Sequence, residues 1–214
     1  MQRRTALKNI GLSFGAITLS STVVGLFESC QTTQANWTPE FFTPEQADLV
    51  SKIVDVMLPK TQTPGAKELN ISHFMDGFMA HVASPEDREF AQMALPVISI
   101  LILEASSKTT VSEITNEDVD EQLNRFLRAD QATQQAREEA VGVWSVALSN
   151  GEMPSIPEEG VAHAMLNSLR RLAVYAFKNN EVIGETVLAY APVPGEQKGC
   201  ISLEEATGGR AWSL

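Results

Sequence analysis

Three short strings constrain this chain most: Thr43-Pro44-Glu45-Gln46, Ser84-Pro85-Glu86-Asp87 and Thr115-Asn116-Glu117-Asp118. Each opens with a hydroxyl residue suited to capping a helix, and Gln46 completes a capping box behind Thr43. Proline in the first turn costs nothing, because that amide has no intrahelical partner. Apolar residues then follow at helical spacing: Leu49, Ile53, Val56 and Met57 after the first string, Phe90, Met93, Ala94 and Val97 after the second, and Val119, Leu123, Phe126 and Leu127 after the third. Pro59 stops the first run. The spacing predicts further helices over 71–82, with Phe74, Met75, Phe78 and Met79 inward, over 132–148, and over 158–177. The last is the strongest, with Val161, Met165, Leu169, Leu172, Ala173 and Ala176 on one side and Glu158 and Glu159 at its positive end. Residues 97–103 are rich in β-branched side chains, but no second strand offers itself for pairing, so helix is the better reading. Pro96 is expected to kink or end the helix that contains it. The chain therefore reads as a mostly α, bundle-like single domain.

The two ends depart from this pattern. Gln2-Arg3-Arg4-Thr5-Ala6-Leu7-Lys8 is a basic start, followed by an uncharged stretch over 9–27 that glycine, serine and threonine make only moderately apolar. Paired arginines before such a stretch resemble a twin-arginine export signal, with Arg3 and Arg4 as its recognition pair. The stretch is close to the shortest that spans a bilayer, so an uncleaved membrane anchor is the competing reading. Phe27-Glu28-Ser29-Cys30 closes it. A small residue before cysteine resembles a lipoprotein processing site, although Glu28 departs from the usual pattern. Two readings of Cys30 stay open: acyl anchoring, or an ordinary thiol near a cleavage point. Residues 1–30 are thus assigned to the leader, 31–42 to a polar tether and 43–214 to the helical domain. At the other end, Tyr190-Ala191-Pro192-Val193-Pro194-Gly195 holds two prolines and cannot be helical throughout, so the chain from about 190 is expected to run as an extended tail.

Charge excludes some partners. Without Arg3, Arg4, Lys8 and Glu28, the chain after residue 30 keeps 13 basic and 26 acidic side chains. Such a surface repels phosphate backbones and anionic lipid alike, so nucleic acid is not an expected partner. Any membrane attachment would come from the leader or from lipid on Cys30.

The chemistry-bearing motifs are mostly missing. There is no G-x-G-x-x-G, P-loop, G-x-S-x-G or C-x-x-C-H string, and only Cys30 and Cys200 are available as thiols. His73 and His81 are eight residues apart, too far for a helical metal pair. His73 with Asp76 is a weak one, and His163 reads, like the other two, as an ordinary surface or cap residue. No catalytic, cofactor-binding or metal-ligating residue is assigned, and no cofactor is expected in this chain. Three readings remain: a subunit of a larger exported assembly, a stand-alone exported helical lipoprotein with a binding or structural role, or a free-standing enzyme whose site no motif marks.

The order of several weak motifs adds to this. The leader precedes a helix ending in Met57-Leu58-Pro59, then Thr61-Gln62-Thr63-Pro64-Gly65-Ala66. The end of the chain carries Tyr190-Ala191-Pro192-Val193-Pro194-Gly195, then Gly199-Cys200 and Ala211-Trp212. Together these resemble the gluconate 2-dehydrogenase subunit 3 family over nearly the whole chain. The resemblance implies a non-catalytic small subunit in the periplasm, exported by the twin-arginine route. Its implied partner is a large FAD-dependent flavoprotein of the glucose–methanol–choline oxidoreductase type, which oxidises a sugar, sugar acid or polyol, with a haem c cytochrome subunit as a further partner. The small subunit would aid export, folding or attachment of the flavoprotein. Contacts with that partner are expected at Pro64 and Gly65 and along the tail at Tyr190, Pro194, Gly195, Cys200 and Trp212, because extended proline-rich segments lose little entropy on docking and Tyr and Trp are anchoring residue types; the alternative is that Tyr190 and Trp212 fill a groove of this domain itself. Cys200 could bridge to a partner subunit, remain a buried free thiol, or pair with an unlipidated Cys30.

Overall fold

A computed structural model describes residues 37–191, 195 and 199–213. Arg3, Arg4, Cys30 and Pro194 lie outside the described residues. The helices belong to one unit, Pro39–Leu214. In chain order they are α1 (Pro44–Met57), α2 (Ile71–His81), α3 (Pro85–Ser106), a 3₁₀ turn (Val111–Glu113), α4 (Asn116–Leu127), α5 (Gln131–Ser149), α6 (Glu158–Lys178), a π-helical turn (Ile183–Val187) and a short α7 (Leu203–Thr207). The fold is mostly α, as the sequence predicts.

The caps explain where the helices start. The Thr43 hydroxyl accepts from the Gln46 amide, and the Gln46 side-chain carbonyl accepts from Thr43 N–H at 3.0 Å. Ser84 caps α3 through Asp87 N–H, and Thr115 caps α4 through Asp118 N–H, with Asp118 returning the bond to Thr115 N–H at 2.7 Å. Each arrangement satisfies amides that have no partner inside the helix.

α6 is the axis of the bundle. It packs against α2, α3, α4 and α5 and touches α1. Nine of its 21 residues are buried, among them Val161, Met165, Leu166, Leu169 and Ala173. Leu49, Val50 and Ile53 of α1, Leu95, Ile98 and Ile102 of α3 and Phe126 of α4 supply other large buried side chains. At about 25 cal/mol per Å² of apolar area removed from water, these side chains are the main source of stability.

Four details depart from the sequence reading. First, Pro96 does not end its helix: α3 runs through it to Ser106. Both Pro96 and Gln92 are exposed, so the carbonyl that loses its amide partner lies on the solvent side. Second, α2 buries Ile71, Met75 and Met79 at four-residue spacing and leaves Phe74 43% exposed. Asp76 is buried beside Met75, so the inward face of the helix is turned toward Asp76 and away from Phe74. Third, residues 39–42 are part of the folded unit although they were assigned to the tether. The carboxylate of Asp76, itself buried, accepts N–H bonds from Glu40 at 2.7 Å, Phe41 at 3.1 Å and Phe42 at 2.9 Å, and Phe42 is buried. Fourth, the tail is not extended throughout. Ser202 caps α7, Gly208 ends it in the left-handed region at φ 62°, and the chain then returns to make a parallel bridge between Ala189 and Trp212. Ala189 N–H donates to Ala211 O, and Ser213 N–H donates to Ala189 O, both at 2.8 Å.

α3 is long and apolar enough to cross a membrane by length and composition alone. Its Ala91, Ala94, Leu95, Ile98, Leu101 and Ile102 are buried within the bundle.

Candidate partner-binding surfaces

The Pro64–Gly65 loop is held by its own backbone. Ala66 N–H donates to Leu58 O at 2.8 Å, and Gly65 N–H donates to the Glu68 carboxylate at 3.0 Å. Lys60 pairs with the same carboxylate at 3.0 Å and, as the first cause, holds its pKa below the usual range. Gly65 is buried, and a Cβ there would stand 2.6 Å from Lys60 N and 2.9 Å from Leu58 O. Glycine is therefore needed for close backbone packing inside this chain. Pro64 is half-buried.

The tail offers more open surface. The bridge pairs Trp212, 50% exposed, with Ala189, the residue before Tyr190, which is itself 54% exposed. Gly195 is exposed with φ 70°, a conformation that favours glycine. Cys200 is an exposed free thiol at φ 53°, so the buried-thiol alternative does not apply. Among the described residues, no hydrogen bond joins the Pro64–Gly65 loop to the tail.

Residues the sequence reading did not single out form a denser arrangement at the α4–α5–α6 junction. Arg137 of α5, only 8% exposed, donates to the Glu159 carboxylate from Nη2 at 2.8 Å and from Nε at 3.2 Å, and to Arg125 O at 3.1 Å. Arg125 also pairs with Glu159. The Arg137 bond, first among the causes, lowers the Glu159 pKa. Both guanidinium groups lie over the Phe126 ring, at 4.8 Å for Arg137 and 5.0 Å for Arg125. His163 is buried beneath, which corrects its assignment to a surface role. Its Nδ1–H donates to Phe126 O at 2.9 Å, leaving Nε2 to accept from the Asn167 amide at 3.1 Å. The signal available in the sequence was only the acidic pair opening α6. It read as helix-start electrostatics, whereas Glu159 also binds two arginines from other helices.

The metal readings receive no support. Both Asp76 oxygens are occupied by backbone amides. His81 Nε2 sits 2.8 Å from Glu40 Oε2 at the surface. Burial lowers the pKa of His73. Among the described residues, no group of three or more His, Cys, Asp or Glu is placed to hold a metal ion.

A third surface follows α6. An apolar groove of about 390 Å³ lies between α2, α3 and α6, lined by Met75, Phe78, Met79, Phe90, Met165 and Tyr175 among others. A second hollow, of about 300 Å³, lies where α1, α4 and α6 meet. Between them α6 exposes Arg170, Arg171, Val174 and Tyr175. Phe74 stacks beside Tyr175 with ring centres 6.3 Å apart. Met-rich, solvent-open grooves beside exposed aromatics are typical of protein docking sites.

No curated protein and no solved structure is similar enough to match this chain. A family model does match, that of gluconate 2-dehydrogenase subunit 3, and it covers residues 44–195, from the first residue of α1 past the end of the π-helical turn. The helices that build the bundle and the Pro64–Gly65 loop fall inside that match, Cys200, α7 and Trp212 lie beyond it, and the chain belongs to the gluconate 2-dehydrogenase subunit 3 family.

Proposed function

We propose that this chain is the small, non-catalytic subunit of an exported, membrane-associated flavin-dependent dehydrogenase acting on gluconate or a related sugar or polyol. The family match over residues 44–195 carries the reading: the family is one of accessory subunits of a dehydrogenase complex. The composition agrees with it, since a basic, paired-arginine start precedes an acidic domain without a recognised cofactor motif. On this reading FAD belongs to the large partner subunit and haem c to a third. Arg3 and Arg4 direct twin-arginine export to the periplasm, and Cys30 or the leader itself holds the assembly at the membrane. The exposed aromatics Tyr190 and Trp212 and the loop at Pro64 contribute contacts, and the free Cys200 is available to bridge to the partner.

The test is expression of the tagged full chain in its native host, followed by fractionation and purification. Flavin absorbance should co-purify with the tag from the periplasmic or membrane fraction. Arg3→Lys with Arg4→Lys should leave both the chain and the flavin in the cytoplasm. A purified chain that oxidises sugars with a dye acceptor on its own would overturn the reading.

A further inference from the structure

The exposed stripe of α6 is anomalous for this chain. In a molecule whose acidic side chains outnumber its basic ones two to one after residue 30, this stripe presents two adjacent arginines and no acid from Arg170 to Lys178. Among the described residues neither arginine makes an ion pair. Arg170 donates to the Asn167 amide oxygen at 2.7 Å and Arg171 to the Ser168 hydroxyl at 3.3 Å, both neighbours on the same helix. Arg125 and Arg137, by contrast, both take the Glu159 carboxylate, whereas Arg88 and Arg210 donate to backbone carbonyls. The stripe also carries Tyr175, 53% exposed with its ring centre 6.3 Å from that of Phe74, and it borders a Met- and Phe-lined groove whose lining includes both Arg171 and Asp87.

We propose that this face docks an amphipathic helix of a partner chain, one that lays large apolar side chains into the groove between α2, α3 and α6 and sets carboxylates against Arg170 and Arg171. The inference rests on the subunit reading above for its partner, the flavoprotein subunit. Charge decides the sign of the occupant: two guanidinium groups with only neutral partners match carboxylates, and Arg is well suited to bidentate pairing with them. Shape decides its form. The groove is open along helices, about the setting in which a helix inserts side chains at i, i+3, i+4 and i+7. Among the described residues the only β-type pairing is the isolated Ala189–Trp212 bridge, so no free sheet edge invites an extended strand. An anionic lipid surface would meet the same arginines but also the surrounding acidic surface, which repels it. Tyr and Arg side by side at the rim are the residue types that carry most binding energy in interfaces.

The experiment uses the tagged full chain in its native host and reads flavin recovered per mole of tagged chain. Arg171→Glu with Tyr175→Ala should lower that recovery tenfold or more, with an unchanged thermal melt because both residues are exposed. Arg171→Lys should restore most of it when Tyr175 is kept. Val143→Asp with Val146→Asp, on the exposed apolar face of α5, should leave recovery intact. Full recovery with the α6 pair altered, or loss only with the α5 pair, overturns the inference while leaving the subunit reading in place. If wild type recovers no flavin, that reading fails, and a photo-crosslinker at position 175 decides the inference separately. Crosslinks to a carboxylate-bearing helical peptide of another protein uphold it; crosslinks only to copies of this chain or to lipid overturn it.

Discussion

α5 and α6 lie side by side, have nearly equal length, and are held by different physics. α6 buries nine of 21 residues, almost all apolar. α5 buries one of 19, and that one is Arg137. Its Val143 and Val146 are exposed. Beside half-buried Val141 and Trp144, α5 is attached by a polar and close-contact set: Arg137 on Glu159 and Arg125 O, the cation over Phe126, and Gly160, where a Cβ would stand 2.7 Å from Arg137 O. Hydrophobic burial fixes a helix by area, without direction. A guanidinium fork fixes a helix at one point, with direction. The first should fail only with the whole fold, the second locally.

That contrast can be broken most directly in α6. Leu166→Ala removes a side chain that is 1% exposed and should destabilise the whole bundle by about 2–5 kcal/mol. Denaturant unfolding should show one transition at lower midpoint; a loss confined to α5 in hydrogen exchange would contradict the division. Arg137→Ala is the converse. It leaves the apolar core intact but strips Glu159 of its main partner and uncovers Phe126, for an expected cost of about 1–3 kcal/mol, since Glu159 is half exposed. Amide exchange should quicken across α5 while Leu169 and its neighbours stay protected; uniform quickening would mean that α5 is as integral as α6.

The smallest effect sharpens the comparison by asking what a charge pair does away from a buried arginine. Lys108 pairs with Asp118 at the start of α4. That contact first, then the Thr115 amide and hydroxyl, lowers the Asp118 pKa from 3.8 to about 2. A carboxylate with a depressed folded-state pKa contributes stability that is complete above its unfolded value and disappears as pH falls through the folded one. Asp118→Asn should therefore be slightly less stable than wild type at neutral pH, and the gap should close between about pH 4 and pH 2. A gap that persists at pH 2 would show that the aspartate acts through packing.

The same division separates what could be read from the linear chain. Helices α1, α3 and α4 start where Thr43, Ser84 and Thr115 stand, because a cap is chemistry between residues three apart. α6 is found almost to the residue because its apolar spacing is regular over five turns. The proposed docking faces are less legible. Tyr190 and Trp212 stand out by residue type, whereas the return of the chain that pairs Trp212 with Ala189 is visible only in the structure. Arg171 and Tyr175 could not be separated from an ordinary helix surface, since what sets them apart is their place at the rim of a groove formed by three helices.

The sequence alone determined the helical class, most helix starts, and the family to which the chain belongs, all of which depend on local spacing and residue order. Only the tertiary structure decided that Asp76 ties down residues 40–42, that His163 and Arg137 are interior, that Pro96 is tolerated, and that the tail folds back to Ala189. The reason is common to all four. Each depends on which groups distant in the chain meet, and which face reaches water, and neither is encoded within one helical turn.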